Sequence, residues 1–385
     1  MRHSVALMGA TGSIGTQTLD VLRREVESFE LVSIAGGEQL SELAAIAREF
    51  QVARVGVISE EHRNALADLL GPSTEIVVGP EGLAELSRDA DIIVNAVMGF
   101  AGLPVTLTAL ESGKRLALAN KESLVAAAPL VAKVRATPGS SLVPIDSEHC
   151  AIHQCLASSP ASPGYPDVSR LLLTASGGPF RGWSKDELLH AQKSDALVHP
   201  TWSMGSKITI DSSTLMNKGL EVMEASALFG IEVGRVEVVV HPQSVVHSMV
   251  EYVDGSVLAQ LSKPDMRLPI AYCLGLPERL GHGWGRLDFS QPIELNFEAP
   301  DRAAFPALDL AYEAARLGGA APAWLSAANE VAVAAFLDDR IGWVDIVAIV
   351  ATVLDGYEPD PLNSLDDLMA NDALARQRAH DILHK

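Results

Sequence analysis

Two acidic side chains placed two positions apart could do chemistry in this chain. Asp146 and Glu148 flank Ser147 directly after a short apolar run at 142–145. We expect an extended segment here, and because residues i and i+2 of such a segment point the same way, both carboxylates would face one spot. Like charges held that close repel unless a cation or a shared proton lies between them. The pair therefore predicts a bound cation.

A further carboxylate comes from the segment 208–225, which reads ITIDSSTLMNKGLEVMEA. If this segment is helical, Asn217 and Glu221 share one face, and Glu224 lies one turn further along. Docking of this helix near the first two acids would bring three hard oxygen ligands together. Such a set suits Mg²⁺ or Mn²⁺ and leaves positions open for substrate oxygens. The alternative interpretation is a solvated acidic face of a helix.

Donors suited to a phosphate group accompany these acids. Ser212, Asn217 and Lys218 supply a hydroxyl, an amide and an ammonium group within one short stretch. A second donor loop, TASGG at 174–178, places Ser176 at the end of a predicted strand. These residue types predict a pocket for a phosphorylated ligand.

Two other loops could contact a ligand. HPTWSMG at 199–205 has a Trp and a Met bounded by Pro and Gly, which indicates either a core plug or a lid. Asn120, Lys121 and Glu122 follow a predicted strand at 116–119, where open α/β sheets place ligand-contacting residues. A plain surface lysine is the alternative for Lys121.

A glycine-rich turn follows the first predicted strand. Gly9, Gly12 and Gly15 give G-x-x-G-x-x-G between the apolar run VALM and a helical pattern. Such glycines let the backbone approach a pyrophosphate, and the helix N-terminus supplies amide donors and the positive end of a dipole. The spacing predicts a dinucleotide site. The second strand ends at GGEQ, 36–39, and an acid there usually holds the ribose hydroxyls of NAD, so Glu38 by itself favours NAD.

The pattern of apolar residues predicts the elements that position these groups. Alternating strands and helices up to residue 145 predict βαβ units and a doubly wound parallel sheet of the Rossmann type, and so an α/β fold class. After a turn-rich loop at 157–167, several strands and an Asp254-Gly255 hairpin predict a central α+β region. Helical spacing from 307 onward predicts a helical bundle. We divide the chain into a Rossmann-like nucleotide domain at 1–145, a catalytic domain at 146–275 with a lid at 199–208, a linker at 276–306 and a C-terminal helical domain at 307–385.

Composition disfavours several classes of partner. The 385 residues are 48% apolar and carry a formal charge of −20. Nucleic acids and anionic membranes require a basic surface, so neither is expected, and an anionic small molecule would need a local cationic pocket. The three cysteines fit no zinc or redox spacing and indicate the reduced thiols of a cytoplasmic protein. No apolar run approaches the ~20 residues of a membrane span.

Eight motifs, in this order along the chain, resemble those of the 1-deoxy-D-xylulose 5-phosphate reductoisomerase family. They are GATGSIG, LANKESL, PIDSEH, TASGGPF, HPTWSMG, DSSTLMNKGLEVMEA, HPQSVVHSMV and PDMRLPIA. The AANEV run at 327–331 in the helical region is also similar, so the resemblance covers nearly the whole chain.

The resemblance implies an NADPH-dependent enzyme of the non-mevalonate isoprenoid pathway that forms homodimers and needs Mg²⁺, Mn²⁺ or Co²⁺. Asp146, Glu148 and Glu221 would hold the metal. The residues implied to contact substrate are Lys121, Ser147, Glu148, Ser176, His199, Ser212, Asn217, Lys218 and Glu221, of which Lys121, Glu148 and His199 would be catalytic. The residues implied to contact NADPH are Thr11, Gly12, Ser13, Ile14, Gly37, Gln39, Asn120, Glu122 and Gly205. Glu38 departs from the family pattern, because relatives often have a basic residue there.

The implied reaction converts an α-hydroxy ketone into a branched aldehyde, which hydride then reduces to 2-C-methyl-D-erythritol 4-phosphate. The metal would act as Lewis acid and template. Cleavage and rejoining of a C–C bond and a concerted 1,2-shift would use the same residues, so the sequence leaves both routes open.

Two other functions fit part of the pattern. A dehydrogenase of the semialdehyde type also has a GATG loop, but it uses a cysteine nucleophile. A non-catalytic nucleotide sensor would not need three carboxylates beside a phosphate pocket.

Overall fold

The computed structural model describes residues 2–159, 162, 164–202, 204–359 and 362–384. The turn-rich loop predicted at 157–167 includes Pro160, Ala161 and Pro163, and the predicted lid includes Ser203; these four residues lie outside the described ones.

Strands and helices alternate in the first part of the chain, as the sequence predicts. They are β1 His3–Met8, α1 Ser13–Arg24, β2 Phe29–Ala35, α2 Leu40–Glu49, β3 Arg54–Val57, α3 Glu60–Leu70, β4 Glu75–Val78, α4 Gly79–Leu86, β5 Ile92–Asn95, α5 Leu103–Glu111, β6 Arg115–Leu118, α6 Lys121–Val134 and β7 Ser141–Pro144.

The remainder mixes strands with helices and then becomes helical. The elements are α7 Ser147–Leu156, β8 Val168–Ala175, α8 Lys185–Leu188, α9 Lys193–Ala196, α10 Ser206–Ser213, α11 Met216–Phe229, β9 Val236–Val240, β10 Val246–Tyr252, β11 Val257–Leu261, α12 Arg267–Gly275, α13 Ala307–Leu317, α14 Ala321–Leu337, α15 Trp343–Asp355 and α16 Leu365–Leu383. Within the described residues, short 3-10 helices occur at Gly99–Gly102 and Val233–Arg235.

The chain forms two compact units. The first unit comprises Met1–Ser123, Val131–Cys150 and Asp265–Arg286, and the second comprises Leu124–Leu130, Ala151–Pro264 and Leu287–Lys385. Compactness alone does not define a functional domain, so the four-part division stays a prediction.

The first unit is built on a seven-stranded sheet with the order β4-β3-β2-β1-β5-β6-β7, in which every neighbouring pair is parallel. Parallel strands buried on both faces are apolar along their length, and residues 5–8 of β1 are fully buried. The strand order reverses between β1 and β5, and ligands of such sheets bind outside the carboxyl ends at this reversal. The predicted doubly wound fold is confirmed.

The second unit contains a four-stranded mixed sheet and the helices of the C-terminal part. Its order is β11-β10-β8-β9, with β8 and β9 parallel and the other two pairs antiparallel. The β10–β11 hairpin turns at Asp254-Gly255, where Gly255 has a φ of +85°, as predicted from this dipeptide. Helix α14 is buried along most of its length, so α13–α16 form the predicted helical bundle around it.

No helix in the described ranges is long and apolar enough to span a membrane.

Candidate functional site

The glycine turn after β1 brings three backbone segments into close contact. Gly9 has a φ of +90°, and a Cβ atom there would lie 2.5 Å from the carbonyl oxygen of Ala96, after β5. A Cβ atom at Gly15 would overlap with the carbonyl oxygen of Gly9. The turn residues Gly12 and Ser13 are exposed at the start of α1. The carboxyl end of β1 thus presents bare backbone and a helix N-terminus, which suit a pyrophosphate.

The predicted cofactor residues at the end of β2 lie in an open position. Gly37 is half-buried, and Gln39 is exposed directly before α2. Glu38 is exposed between them. Glu38 therefore places a negative charge in solvent just after the end of β2.

Asn120, predicted to contact the cofactor, has its side-chain amide engaged by the protein. Its Oδ1 accepts a hydrogen bond from the backbone N–H of Ser123 at 2.8 Å, which caps α6. Its Nδ2 donates to the carbonyl oxygen of Gly99 at 2.6 Å and also to that of Val97. Asn120 therefore fixes the loop after β5 to the start of α6, while Glu122 lies in the first turn of that helix.

The Asp146 carboxylate is the centre of a polar cluster at the turn between β7 and α7. Lys121 Nζ donates to its Oδ2 at 2.7 Å, and His149 Nδ1 lies 3.3 Å from its Oδ1. The backbone N–H of Glu148 donates to the same Oδ1 at 3.2 Å, and the Ser147 hydroxyl donates to the Glu148 carboxylate. Asp146 and Glu148 thus supply hard carboxylate oxygens of the kind that bind divalent cations.

The extended geometry predicted for this pair is wrong. Glu148 lies in the first turn of α7, and Asp146 precedes that helix, with its carbonyl oxygen accepting from the Cys150 N–H at 2.8 Å. An Asp just before a helix accepts hydrogen bonds from the first free N–H groups. The capping role, which a strand pattern does not reveal, ends the extended segment at this point.

Helix α11 carries the predicted acidic face in the second unit. Asn217 Nδ2 donates to Glu221 Oε1 at 2.6 Å, and Lys218 Nζ is paired with the other oxygen of Glu221. Glu221 and Glu224 are both only 1% exposed, and Lys218 is buried as well. The interpretation of this segment as a solvated acidic face is therefore wrong. Buried carboxylates require positive charge, which again fits a cation.

Ser176 and His199 form a hydrogen-bonded pair beside the loop after β8. Ser176 Oγ lies 3.0 Å from His199 Nε2 and accepts from the Gly178 N–H at 3.2 Å. His199 Nδ1 accepts from the backbone N–H groups of Thr201 and Trp202, at 3.2 and 2.9 Å, so the ring proton lies on Nε2 and donates to Ser176. The Ser176 hydroxyl keeps its own proton for a ligand.

Burial lowers the pKa of His199 to about 4, and the positive charge of Lys218 adds to this effect. His199 is therefore a neutral hydrogen-bonding group near pH 7 and does not act as a fixed cation.

Ser212 packs directly against the loop after β8. Gly178 has a φ of +69°, and a Cβ atom there would lie 2.5 Å from the carbonyl oxygen of Ser212. Gly205, the predicted cofactor contact in the lid, is exposed at the start of α10. Trp202 is half-buried, with its ring centroid 6.3 Å from that of His247.

Burial of the three thiols disfavours nucleophilic catalysis. All are free and buried, as expected for reduced cysteines. Burial raises the pKa of Cys155 to about 11 and that of Cys273 well above its usual range. A thiol kept protonated and away from solvent is a poor nucleophile, which disfavours a dehydrogenase of the semialdehyde type.

Comparison with known proteins identifies the family. The model described as "1-deoxy-D-xylulose 5-phosphate reductoisomerase" matches residues 5–128, and the models for its C-terminal domains match 142–229 and 261–378. The reductoisomerase of Chlorobium chlorochromatii is 48% identical over 384 residues, covering 99% of this chain and 100% of its own. The chain belongs to the 1-deoxy-D-xylulose 5-phosphate reductoisomerase family. The family member from Xanthomonas axonopodis pv. citri is 50% identical over 99% of this chain and 98% of its own.

Solved reductoisomerase structures share the fold. The enzyme from Zymomonas mobilis, solved in complex with NADPH, has a TM-score of 0.92 at 44% identity and covers 100% of this chain and 99% of its own. A reductoisomerase in complex with NADPH, fosmidomycin and magnesium has a TM-score of 0.93 at 42% identity. The match covers 99% of this chain and 98% of that one. The family predicted from the eight motifs is confirmed.

The sequence interpretation missed some of the residues that contact the predicted site residues or lie close to them. His149 contacts Asp146 three residues earlier, a spacing that a helix at this position would have revealed. Asn95 is buried at the end of β5, where its Nδ2 donates to the Gly102 carbonyl oxygen at 2.8 Å and to Thr106 Oγ1 at 2.9 Å. No sequence pattern indicates these two hydrogen bonds of Asn95.

Proposed function

We propose that the chain catalyses the NADPH-dependent, metal-assisted isomerisation and reduction of 1-deoxy-D-xylulose 5-phosphate to 2-C-methyl-D-erythritol 4-phosphate. The observation that carries this proposal is family membership along essentially the whole chain. The enzyme is therefore an oxidoreductase with an isomerase step. Free, buried thiols are consistent with a cytoplasmic location.

The metal ligands in this proposal are Asp146, Glu148 and Glu221. All three are buried or half-buried carboxylates, and a hard divalent cation such as Mg²⁺, Mn²⁺ or Co²⁺ is the partner that such oxygens prefer. A bound ion supplies Lewis-acid polarisation of the hydroxy-ketone oxygens and a template for them. Lys121 donates to Asp146, which holds that carboxylate in one orientation.

The cofactor in this proposal lies along the carboxyl ends of β1, β2 and β6. Thr11, Gly12, Ser13 and Ile14 would hold the pyrophosphate, and Gly37 and Gln39 would lie beside the adenosine ribose. Asn120, Glu122 and Gly205 would border the nicotinamide, whose hydride reduces the aldehyde. The exposed Glu38 carboxylate would repel a 2′-phosphate, so we propose that this chain binds NADPH less tightly than relatives with a basic residue there.

The phosphate of the substrate would be held by uncharged donors and one cation. Ser176, Ser212 and Asn217 supply hydroxyl and amide donors, and Lys218 supplies the positive charge. His199 is neutral, so its role is to orient Ser176 and to donate a hydrogen bond. Ser147 and Glu148 would contact the reacting end.

We propose that the segment 199–208 is a lid. Trp202 is half-buried and its backbone N–H is held by His199, so the indole can cover a ligand without being part of the core. Closure would keep water away from the reacting carbons.

We also propose a homodimer that pairs through β11. This strand lies at an edge of its sheet and reads VLAQL, without a charged residue. Exposed apolar edges without charges invite pairing with another strand.

Turnover tests the proposal. Purified protein should oxidise NADPH only when 1-deoxy-D-xylulose 5-phosphate and a divalent metal are both present, and a chelator should abolish the reaction reversibly. Asp146→Asn should lower kcat by about a hundredfold or more, because a charged ligand is lost where charge develops. Asn caps a helix as well as Asp does, so the fold should persist.

Glu237→Gln is the matched control, since Glu237 is an exposed carboxylate on β9 that pairs with Arg170. It should leave turnover unchanged. Activity that survives chelation but disappears with a thiol-alkylating reagent would favour the semialdehyde-type alternative. Binding of NADPH without any turnover would favour the nucleotide sensor.

A further inference from the structure

Helix α10 carries a buried carboxylate that the proposed chemistry does not use. Asp211 is 1% exposed and lies one residue before Ser212. Its Oδ2 is 2.7 Å from Lys207 Nζ, one turn earlier on the same helix. Its Oδ1 accepts a hydrogen bond at 2.7 Å from Asn329 Nδ2 on α14, 118 residues away in the sequence. Burial of a charge is costly, and here the ion pair with Lys207 and the hydrogen bond from α14 offset that cost.

Packing alone does not explain a polar side chain at Asn329. The residue is 0% exposed, and its neighbours on α14 are mainly alanines and other apolar residues. Its amide orientation is fixed, because a carboxylate can only accept and Nδ2 must therefore face Asp211. Its Oδ1 is buried without a hydrogen-bond partner among the described residues. An apolar side chain at position 329 would avoid the cost of this unpaired oxygen. We infer that the hydrogen bond to Asp211 matters because it holds α10 in one position against α14.

The bond fixes the part of the second unit that presents Ser212. Successive residues of a helix point about 100° apart, so holding Asp211 against α14 sets the direction in which Ser212 projects. Ser212 packs on Gly178 of the loop after β8, where a Cβ atom would lie 2.5 Å from its carbonyl oxygen. The Ser212 hydroxyl makes no hydrogen bond within the described ranges, which leaves it available to a ligand.

We propose that Asp211 and Asn329 are positioning residues for binding of the substrate's phosphate group, acting through the orientation of α10 and the Ser212 hydroxyl. This inference rests on the proposed function, since it deepens the phosphate contact assigned there to Ser212. It also gives the C-terminal helical part a role in substrate recognition, because α14 supplies the donor.

Steady-state kinetics of Asn329→Ala test the inference. The KM for 1-deoxy-D-xylulose 5-phosphate should rise roughly tenfold. This is the factor expected if the Ser212 hydroxyl loses its hydrogen bond to the charged phosphate group. The KM for NADPH should stay within twofold, since the glycine turn is untouched. The KM for 1-deoxy-D-xylulose 5-phosphate should rise less in Asp211→Asn than in Asn329→Ala, because the new amide oxygen still accepts from Asn329 although its NH2 group faces Lys207. Asp211→Ala should raise this KM at least as much as Asn329→Ala does.

The control is Asn371→Ala. Asn371 Oδ1 accepts a hydrogen bond at 2.8 Å from Trp324 Nε1. Since Trp324 lies on α14, this variant also removes a side-chain hydrogen bond of that helix. It should lower the melting temperature without changing either KM. A substrate KM unchanged in Asn329→Ala, or one raised equally in Asn371→Ala, would overturn the inference. If Asn329→Ala does not fold, Asn329→Ser, with a shorter polar side chain, makes the same comparison.

Inorganic phosphate separates this inference from the proposed function. It should raise the melting temperature of the wild-type protein and raise it clearly less in Asn329→Ala. That difference, observed in a protein without turnover, would leave the positioning role standing and refute the proposed reaction. If the wild type turns over substrate and inorganic phosphate raises the melting temperatures of the wild type and Asn329→Ala equally, the positioning role alone would be refuted.

Discussion

His199 shows how burial selects one chemical form of a side chain. Both of its ring nitrogens are used, Nδ1 as acceptor from two backbone N–H groups and Nε2 as donor to Ser176. The imidazolium form would lose the acceptor and would lie near the positive charge of Lys218. The hydrogen bonds and the lowered pKa therefore favour the same neutral tautomer.

A titration of the His199 ring by NMR should give a pKa of about 4 in the free protein. Between pH 6.5 and 4 the unfolded chain binds a proton at this site that the folded protein does not. The stabilising contribution is therefore complete above pH 6.5 and is lost as pH falls towards 4. Adding inorganic phosphate should raise the pKa, because a bound anion favours the imidazolium.

Lys218→Met is the control for this titration. It removes the second cause of the shift and keeps the first, so the pKa of His199 should rise part of the way towards its ordinary value. A pKa near 6.5 in the unmodified protein would contradict the burial seen here.

Local spacing predicts side-chain contacts within a helix but not those between distant segments. Asn217 and Glu221 are four residues apart, and their hydrogen bond follows from helix geometry. Asn120 instead contacts Val97 and Gly99, and that contact exists because β5 and β6 are neighbours in the sheet. Strand order has to be known before such a partner can be named.

The turn between β7 and α7 shows why a local pattern can mislead. Asp146 and Glu148 follow an apolar strand, and their spacing predicts that the extended segment continues through them. Asp is also a strong helix N-cap, and here it accepts from the Glu148 N–H. The capping preference overrides the period of two, although both carboxylates still belong to one polar cluster.

Two glycines of the turn after β1 are expected to have different roles, Gly15 in backbone packing and Gly12 in cofactor binding. Gly15→Ala should destabilise the first unit strongly, because the new Cβ would overlap with the Gly9 carbonyl oxygen inside packed backbone. Gly12→Ala should fold normally, since its Cβ would lie 3.4 Å from that same oxygen. It should nevertheless raise the KM for NADPH, because the methyl group would occupy the approach of the pyrophosphate.

Thermal melting and NADPH titration of the two glycine variants measure these effects. Equal stability of Gly12→Ala and Gly15→Ala would show that the close backbone contact is not needed for folding. An unchanged KM for NADPH in Gly12→Ala would place the pyrophosphate elsewhere.

Trp202→Ala should damage catalysis more than stability. The side chain is half-buried, so its loss should barely move the melting temperature of the free protein, while closure over the substrate would be weakened. Trp324→Ala is the matched control, because Trp324 is buried in α14 and its removal should cost about 3–5 kcal/mol. A melting temperature of Trp202→Ala as low as that of the control, with intact turnover, would show a structural tryptophan.

The architecture of the chain is only partly accessible from its sequence. Alternation of strands and helices predicts a parallel sheet, because βαβ connections allow little else. The short strands β3 and β4 give weak patterns and were not predicted individually. The return of α12 to the first unit was also not foreseen. There Ile270 and Cys273 are fully buried, and the Cys273 thiol donates to the Pro144 carbonyl oxygen at 3.2 Å.

The exposed edge of the smaller sheet leads to a prediction about assembly. In the described part of the chain β11 pairs with β10 alone, and Val257 and Leu258 are 45% and 40% exposed. Sedimentation should show a dimer of the wild-type protein. Val257→Lys combined with Leu258→Lys should shift it to the monomer, because two charges would have to be buried at the new strand pair. Val26→Lys, at an exposed valine of the first unit, should remain a dimer. A lysine variant of β11 that still sediments as a dimer would place the interface on another surface.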